Sequence, residues 1–412
     1  MSFDNPDQIL VELSRLIVGY FADAPYLSFL VGVLLSSVPL IAIFPGCFAF
    51  TTWLERKGLA RIQNRYGPNR VGPFGLFQPI ADGIKMLMKE DIVPTRSDKW
   101  GHLLAPIFIM IPAMMGLAFL PLARNMTAVA IDSGLLFFFA IGSLATLAVF
   151  LAGWASRNKY SLLGGMRAVA QMVSYEMPLI LSAVVVVMMV GSMNTSLIVE
   201  AQQYKPWVES DNPLFQCLGQ IRGWFVFTPW GFAGFLIFFV ASLAETNRSP
   251  FDIPEADSEI IAGHMTEYSG FKYALFFISE YVSAFAIIGI GVTLFLGGWN
   301  GPNIRPPWSD DPQAYLIPGF VWFFAKMFFL MCVMIWIRGT MPRLRVDQLM
   351  GFAWKFLLPL AFINIFVAGF YYYAPWYYGW PVSIGVLWTS YRFLSRVNQD
   401  KRIVRKRTYK FA

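Results

Sequence analysis

Between two strongly apolar segments, residues 245–259 bring together Glu245, Arg248, Asp252, Glu255, Asp257 and Glu259. Carboxylates at the edge of hydrocarbon cost about 2.5–3.5 kcal/mol each on insertion scales, so such a cluster marks a functional segment rather than a plain connection. If residues 253–263 are helical, Asp252, Glu255 and Glu259 share one face at i, i+3 and i+7. Like charges at that spacing raise one another's pKa and titrate as a coupled set, which suits proton uptake. Pro250 and Pro254 break the preceding helix. Arg248 and the acids then occupy an irregular hinge that lines a cavity, because irregular backbone cannot face lipid. His264 follows and could titrate near neutral pH, although a lone loop histidine is more often structural.

Two further carboxylates fall inside apolar segments. Only Met177 to Val190 is uninterrupted apolar sequence, too short to cross about 30 Å at about 1.5 Å per residue. The helix therefore begins well before Met177 and carries Glu176 into the hydrocarbon. Arg167, Gln171, Ser174 and Tyr175 follow one side of it at i, i+4, i+7 and i+8, a polar stripe that must face protein. Glu280 and Tyr281 repeat the pattern in a later span. An embedded carboxylate is held neutral by desolvation or stabilised as an anion by a nearby arginine, and switching between those states is a proton relay.

The elements that position these groups are membrane spans. Of 412 residues, 57% are hydrophobic and 14% charged, against about 25% charged in soluble domains. The chain reads as an all-α, polytopic membrane protein. Eight core spans are expected at Tyr26–Trp53, Leu103–Ala123, Gly134–Ser156, Ala168–Met193, Pro229–Ala244, Phe271–Gly297, Tyr315–Ile337 and Trp354–Tyr373, with a weaker ninth at Trp376–Leu394. Residues 1–25 read as an interfacial helix with Leu10, Leu13, Ile17 and Phe21 inward. Residues 26–373 form the core domain, and 374–412 a C-terminal extension. Cys47, Cys217 and Cys332 lie far apart with no CxxC spacing, which argues against a metal cluster or a disulfide framework.

Basic residues set the orientation. The loop from Glu55 to Trp100 holds Arg56, Lys57, Arg61, Arg65, Arg70, Lys85, Lys89, Arg96 and Lys99, and the next loop only Arg124. The first loop is therefore cytoplasmic and the N-terminus outside. Nine spans also put Arg392, Arg396 and the basic tail in the cytoplasm, facing anionic lipid headgroups rather than nucleic acid. Within the first loop, Pro73–Glu90 reads as an amphipathic helix with Leu76, Ile80, Ile84 and Leu87 on one face and Gln78, Asp82, Lys85 and Lys89 on the other. Its interleaved acids and bases suit an internal network better than a lipid-binding patch. In the last cytoplasmic loop Arg343, Arg345 and Asp347 alternate, as a strip that docks a partner or pairs the acids of the preceding loop.

Long motifs in collinear order carry a resemblance over roughly Trp53 to Pro359. They include Glu55-Arg56-Lys57, Arg65-x-Gly67-Pro68-Asn69, Gln78-Pro79-x-Ala81-Asp82-Gly83-x-Lys85 and Arg167-Ala168-x-Ala170-Gln171-x-x-Ser174-Tyr175-Glu176. Further along stand Ala244-Glu245-x-Asn247-Arg248-x-Pro250-Phe251-Asp252, Glu280-Tyr281 and Arg338-x-x-x-Pro342-Arg343-x-Arg345-x-Asp347. The chain resembles the heel, or H-type, membrane subunit of respiratory complex I, the proton-pumping NADH:quinone oxidoreductase.

The resemblance implies a quinone-access chamber lined by Arg56, Asp82, Arg248, Phe251 and Asp252, and a proton-coupling path through Glu245, Glu255, Asp257, Glu259, Glu176 and Glu280 with Tyr175 and Tyr281 beside it. It implies that Arg65, Asn69, Arg343, Arg345 and Asp347 dock other membrane and peripheral-arm subunits. Quinone is then the substrate, with no catalytic residue, metal, flavin or iron–sulfur cluster in this chain, in a bacterial-type plasma membrane. Related membrane subunits of ferredoxin-, deazaflavin- or hydrogenase-linked complexes remain an alternative, as does a stand-alone cation/proton antiporter with Glu176 and Glu280 as its ion site.

Overall fold

The computed structural model describes residues 16–19, 25–124, 126–129, 131–203, 219–252, 262–302 and 317–399. Among them the chain is helical, with no strand. The long helices are α1 (Pro25–Ile62), α3 (Lys99–Leu117), α4 (Gly134–Ala155), α5 (Lys159–Val190), α7 (Pro229–Glu245), α8 (Gly270–Phe295), α9 (Gly319–Thr340), α11 (Leu358–Tyr373) and α12 (Trp376–Gln399). Shorter ones are α2 (Gln78–Met88), α6 (Thr195–Ala201) and α10 (Val346–Phe352), and a π-helical segment at Ala353–Leu357 joins α10 to α11.

Among the described residues six stretches are long and apolar enough to cross a membrane: α3, α4, α5, α8, α9 and the run Val346–Tyr373. Helix α7 is apolar but shorter, at 17 residues. Helix α1 has 38 residues, about 57 Å at about 1.5 Å per residue, so its last turns reach past an apolar layer of about 30 Å. Glu55 and Arg56 sit on those turns. Each expected span coincides with a helix, and α5 begins at Lys159, before Met177 as its short apolar run requires. Helix α12 is continuous over the weaker ninth segment but is not among the six.

Local chemistry fixes the boundaries. Asp98, Asn158 and Thr228 accept hydrogen bonds from the first turns of α3, α5 and α7, and Gly191 ends α5 at φ 77°, the left-handed conformation glycine adopts at low cost. The amphipathic helix is shorter than Pro73–Glu90. Pro73–Gly75 forms a separate 3-10 turn with Phe74 at φ 56°, and α2 starts at Gln78. None of its residues is buried, and Ile80, Ile84 and Leu87 are exposed.

Helix α8 is the axis of the bundle. It packs on α1, α3, α7 and α9, and 72% of its apolar window is buried. Tyr175, Trp230, Phe238, Phe276, Phe285, Phe295 and Phe323 fill the core around it. Helix α5 packs on α4, α7 and α11. At one point it approaches so closely that a Cβ on Gly164 would lie 2.6 Å from the Gly263 Cα. Helix α12 folds back along α11.

Candidate functional site

Three embedded carboxylates meet. Glu176 from α5, Glu245 from the last turn of α7 and Glu280 from α8 line one cavity of about 70 Å³, together with Asn247, Ser279 and Ser283. The other walls are apolar, from Ile109, Phe138, Met172 and Ile287 among others. Glu245 Oε2 is buried with no protein hydrogen-bond partner. A cavity of this size holds several waters at about 10–15 Å³ each, so hydrated carboxylates can exchange protons there.

A second cluster lies near the C-terminal end of α1, against α8. The Glu55 carboxylate, 6% exposed, is bound by Arg248 at 3.3 Å and by Arg338. It also accepts a short hydrogen bond from the Tyr281 hydroxyl. The Arg248 guanidinium stacks 3.8 Å from the centre of the Tyr281 ring. Two cations thus share one anion in a small cleft whose other lining includes Thr51, Met331 and Met334. Glu280 and Tyr281 are neighbours on α8, one facing the carboxylate cavity and the other this cluster.

The loop after α7 is stapled to α5 by one amide. Gln171, 1% exposed, points its Nε2 at the carbonyls of Ala244 and Phe251, each at 2.7 Å, and at Asn247 Oδ1 at 3.2 Å. Phe251 packs on Tyr175 with ring centres 5.4 Å apart. Asp252 pairs with Arg343 at 2.9 Å. Burial raises the Asp252 carboxyl above its ordinary pKa, and the guanidinium of Arg343 pulls against that rise. The polar stripe on α5 therefore does face protein: Tyr175 donates to the Leu349 carbonyl at 3.0 Å, and Ser174 accepts from Trp354 at 3.2 Å.

A larger groove of about 270 Å³ opens between α1, α2 and α8. Its walls include Phe48, Met86, Tyr273 and Phe277, with Arg56 and Asp82 paired at 2.6 Å. Glu55 and Arg56 are sequence neighbours that face different cavities.

A family model described as NADH dehydrogenase matches residues 35–369. The H-type subunit of NADH-quinone oxidoreductase from Dehalococcoides mccartyi is 46% identical over 318 residues, covering 77% of this chain and 80% of that protein. The H-type subunit from Carboxydothermus hydrogenoformans is 46% identical over 340 residues, with 82% and 88% covered. The second H-type subunit of Koribacter versatilis is 41% identical over 364 residues, with 83% and 97% covered. The chain belongs to the family of H-type subunits of NADH-quinone oxidoreductase. The family match ends before α12.

The residues expected to bind quinone in an H-type subunit fall in three places. Arg56 and Asp82 line the groove, Arg248 the ion cluster, and Phe251 and Asp252 the stapled loop. Of the residues expected in the proton-coupling path, Glu176, Glu245 and Glu280 come together, with Tyr175 and Tyr281 on the same helices as Glu176 and Glu280. Glu255, Asp257 and Glu259 lie outside the described residues, as do Leu10, Leu13, Phe21, Cys217 and the tail after residue 399; of the helix expected at 253–263 only Ala262 and Gly263 are described, in a turn that opens the 3-10 segment Gly263–Met265. Of the docking set, Arg65, Asn69, Arg345 and Asp347 are exposed. Arg343 instead pairs with an acid of the preceding loop. His264 is 1% exposed, and burial pushes its pKa down to about 4, which fits the structural role that a lone loop histidine more often has rather than titration near neutral pH.

Three participants fell outside the expected set. Glu55 and Arg338 both stand in the resembling motifs, but a pair 283 residues apart leaves no local signature. Gln171 was visible only as a member of the stripe.

Proposed function

We propose that this chain is the membrane subunit of a proton-translocating NADH:quinone oxidoreductase that provides the quinone-access chamber and the first carboxylates of the proton path. The observation that carries the reading is the convergence of Glu176, Glu245 and Glu280 on one small cavity, adjoining through Glu280 and Tyr281 the cluster that holds Arg248. The names carried by the relatives favour this complex over a hydrogenase-linked anchor or a lone antiporter.

In this reading quinone enters through the groove between α1, α2 and α8, where apolar walls suit an isoprenoid tail and the Arg56–Asp82 pair meets its polar head. Electrons arrive from a partner subunit, and this chain supplies binding, orientation and charge. Arg248, stacked on Tyr281 and tied to Glu55, senses the negative charge that reduction brings. The carboxylates respond by taking up protons, because a change of charge nearby shifts a coupled set of acids. Glu255, Asp257 and Glu259 extend the path toward the cytoplasm. Arg65, Asn69, Arg345 and Asp347 meet peripheral-arm subunits, and Arg392 and Arg396 meet anionic lipids. The chain lies in a bacterial plasma membrane with its N-terminus outside and α12 crossing as a ninth span.

Glu176→Gln and Glu280→Gln in the assembled complex test this directly. Both should lower proton translocation and quinone reductase activity while the complex still assembles; wild-type rates in both variants would end the proton-path reading.

A further inference from the structure

The carboxylate cavity and a groove on the surface of the bundle share a hydrogen-bonded pair of lining residues. A groove of about 170 Å³ runs between α5 and α10, lined by Met166, Arg167, Ala170, Gln171, Leu349 and Met350 among others. Gln171 thus belongs to this groove, while its hydrogen-bond partner Asn247 lines the cavity that holds Glu176, Glu245 and Glu280. One contact between two amides links the linings of the two spaces.

That contact is the weakest of three. An amide NH2 has two hydrogens, yet Gln171 Nε2 faces three acceptors: the Ala244 and Phe251 carbonyls at 2.7 Å each and Asn247 Oδ1 at 3.2 Å. Two hydrogens satisfy the two short bonds, so the bond to Asn247 is surplus and breaks at little cost. The oxygens on the two sides are also alike. Gln171 Oε1 and Glu245 Oε2 are each buried without a protein donor, the situation that water ordinarily resolves. The far wall is held to α5 by Tyr175 on the Leu349 carbonyl and Trp354 on Ser174. It continues into the π-helical segment Ala353–Leu357, a distortion concentrated at functional sites.

We propose that the groove between α5 and α10 is a proton inlet to the carboxylate cavity, gated by the Gln171–Asn247 amide pair. Water in the groove brings the proton to the partition. Parting of the two amides lets a water chain cross, and Glu245 Oε2 accepts the proton on the cavity side. The proposal rests on the reading of the cavity as a proton path.

The test uses the complete complex in inverted membrane vesicles. Ala170 is exposed in the groove, so Ala170→Cys allows the inlet to be plugged with a bulky methanethiosulfonate reagent. Labelling should cause a several-fold loss of proton translocation and quinone reductase activity, reversed when the same preparation is treated with a thiol. The parent complex, which retains Cys47, Cys217 and Cys332, serves as the reagent reference and should lose far less. Complete labelling at position 170 with unchanged translocation would overturn the inlet, and so would no labelling there in the assembled complex. Glu176→Gln is measured alongside: if it is impaired while the plugged complex works, the inlet alone fails, and if it pumps like the parent, the underlying path fails.

Discussion

Replacing Glu55 by Gln removes one negative charge from between two guanidiniums and changes almost nothing in shape. Glu55 is 6% exposed, Arg248 12% and Arg338 32%. Breaking a buried ion pair by removing one partner costs about 3–5 kcal/mol, because the surviving charge is left uncompensated. Arg338 reaches solvent and rehydrates, so the penalty falls mainly on Arg248. The amide can still accept from the Tyr281 hydroxyl. Those two facts place the expected cost near the lower end, about 3 kcal/mol, or roughly a hundredfold in a local equilibrium. The assay is thermal inactivation of quinone reduction in the detergent-solubilised complex, read beside electron transfer to a water-soluble acceptor that does not need the membrane subunit. Quinone reduction should fail at a lower temperature in Glu55→Gln while the other activity keeps its midpoint. Because the two charges share one network, Glu55→Gln combined with Arg248→Gln should cost less than the sum of the single changes. Unchanged inactivation and unchanged quinone KM in Glu55→Gln would refute the assignment of Arg248 to this cluster.

Gly164→Ala should destabilise the subunit by about 1–3 kcal/mol, since its Cβ would meet Gly263 backbone atoms at 2.6 and 2.9 Å. Gly369→Ala on α11, where nothing lies within 4 Å, should be neutral or stabilising; equal midpoints for the two would refute the packing argument. Burial pushes the His264 pKa down to about 4 from an ordinary 6.5, so the unfolded chain binds the extra proton between those values. The stability that His264 contributes is therefore complete above about pH 6.5 and declines as the pH falls toward 4. His264→Phe should flatten thermal midpoints measured across that window, and an identical slope in both proteins would show that His264 is not buried as a neutral ring. Arg56→Ala breaks a partly exposed pair worth about 0–1 kcal/mol, so assembly should persist while the quinone KM rises; an unchanged KM would remove the groove from the quinone route.

The span positions and the embedded carboxylates were legible because hydrocarbon length and the cost of charge in lipid act on the sequence locally. The short apolar run after Glu176 was enough to place that residue inside α5 and to turn Gln171, Ser174 and Tyr175 toward protein. The partners of those residues were not legible. Gln171 bonds to backbone carbonyls of Ala244 and Phe251, and any residue supplies a carbonyl. No residue near His264 in the chain betrays its burial, which comes from α5, through the close approach of Gly164 to Gly263, and from Phe276 on α8. The alternation of Arg343, Arg345 and Asp347 suggested one strip, yet only Arg343 folds back onto Asp252, while Arg345 and Asp347 remain exposed at the start of α10.

The ion cluster and the carboxylate cavity are joined in two ways that make electrostatic coupling between them hard to avoid. On α8 the link is one peptide unit, between Glu280 in the cavity and Tyr281 against Arg248. At the end of α7 it is the short segment from Glu245 to Arg248, fixed by Gln171. With two guanidiniums against Glu55, the cluster carries one excess positive charge, and the negative charge of Glu280 acts on Arg248. An excess cation favours an ionised carboxylate within its reach, and cancelling it favours the protonated form. In the proposed mechanism, negative charge arriving on quinone near Arg248 cancels that excess, so Glu280 and its cavity neighbours gain protons when electrons arrive. Carboxylates beyond the reach of Arg248 would not respond in this way, so it matters that Glu280 shares its cavity with Glu176 and Glu245 rather than standing alone in the span.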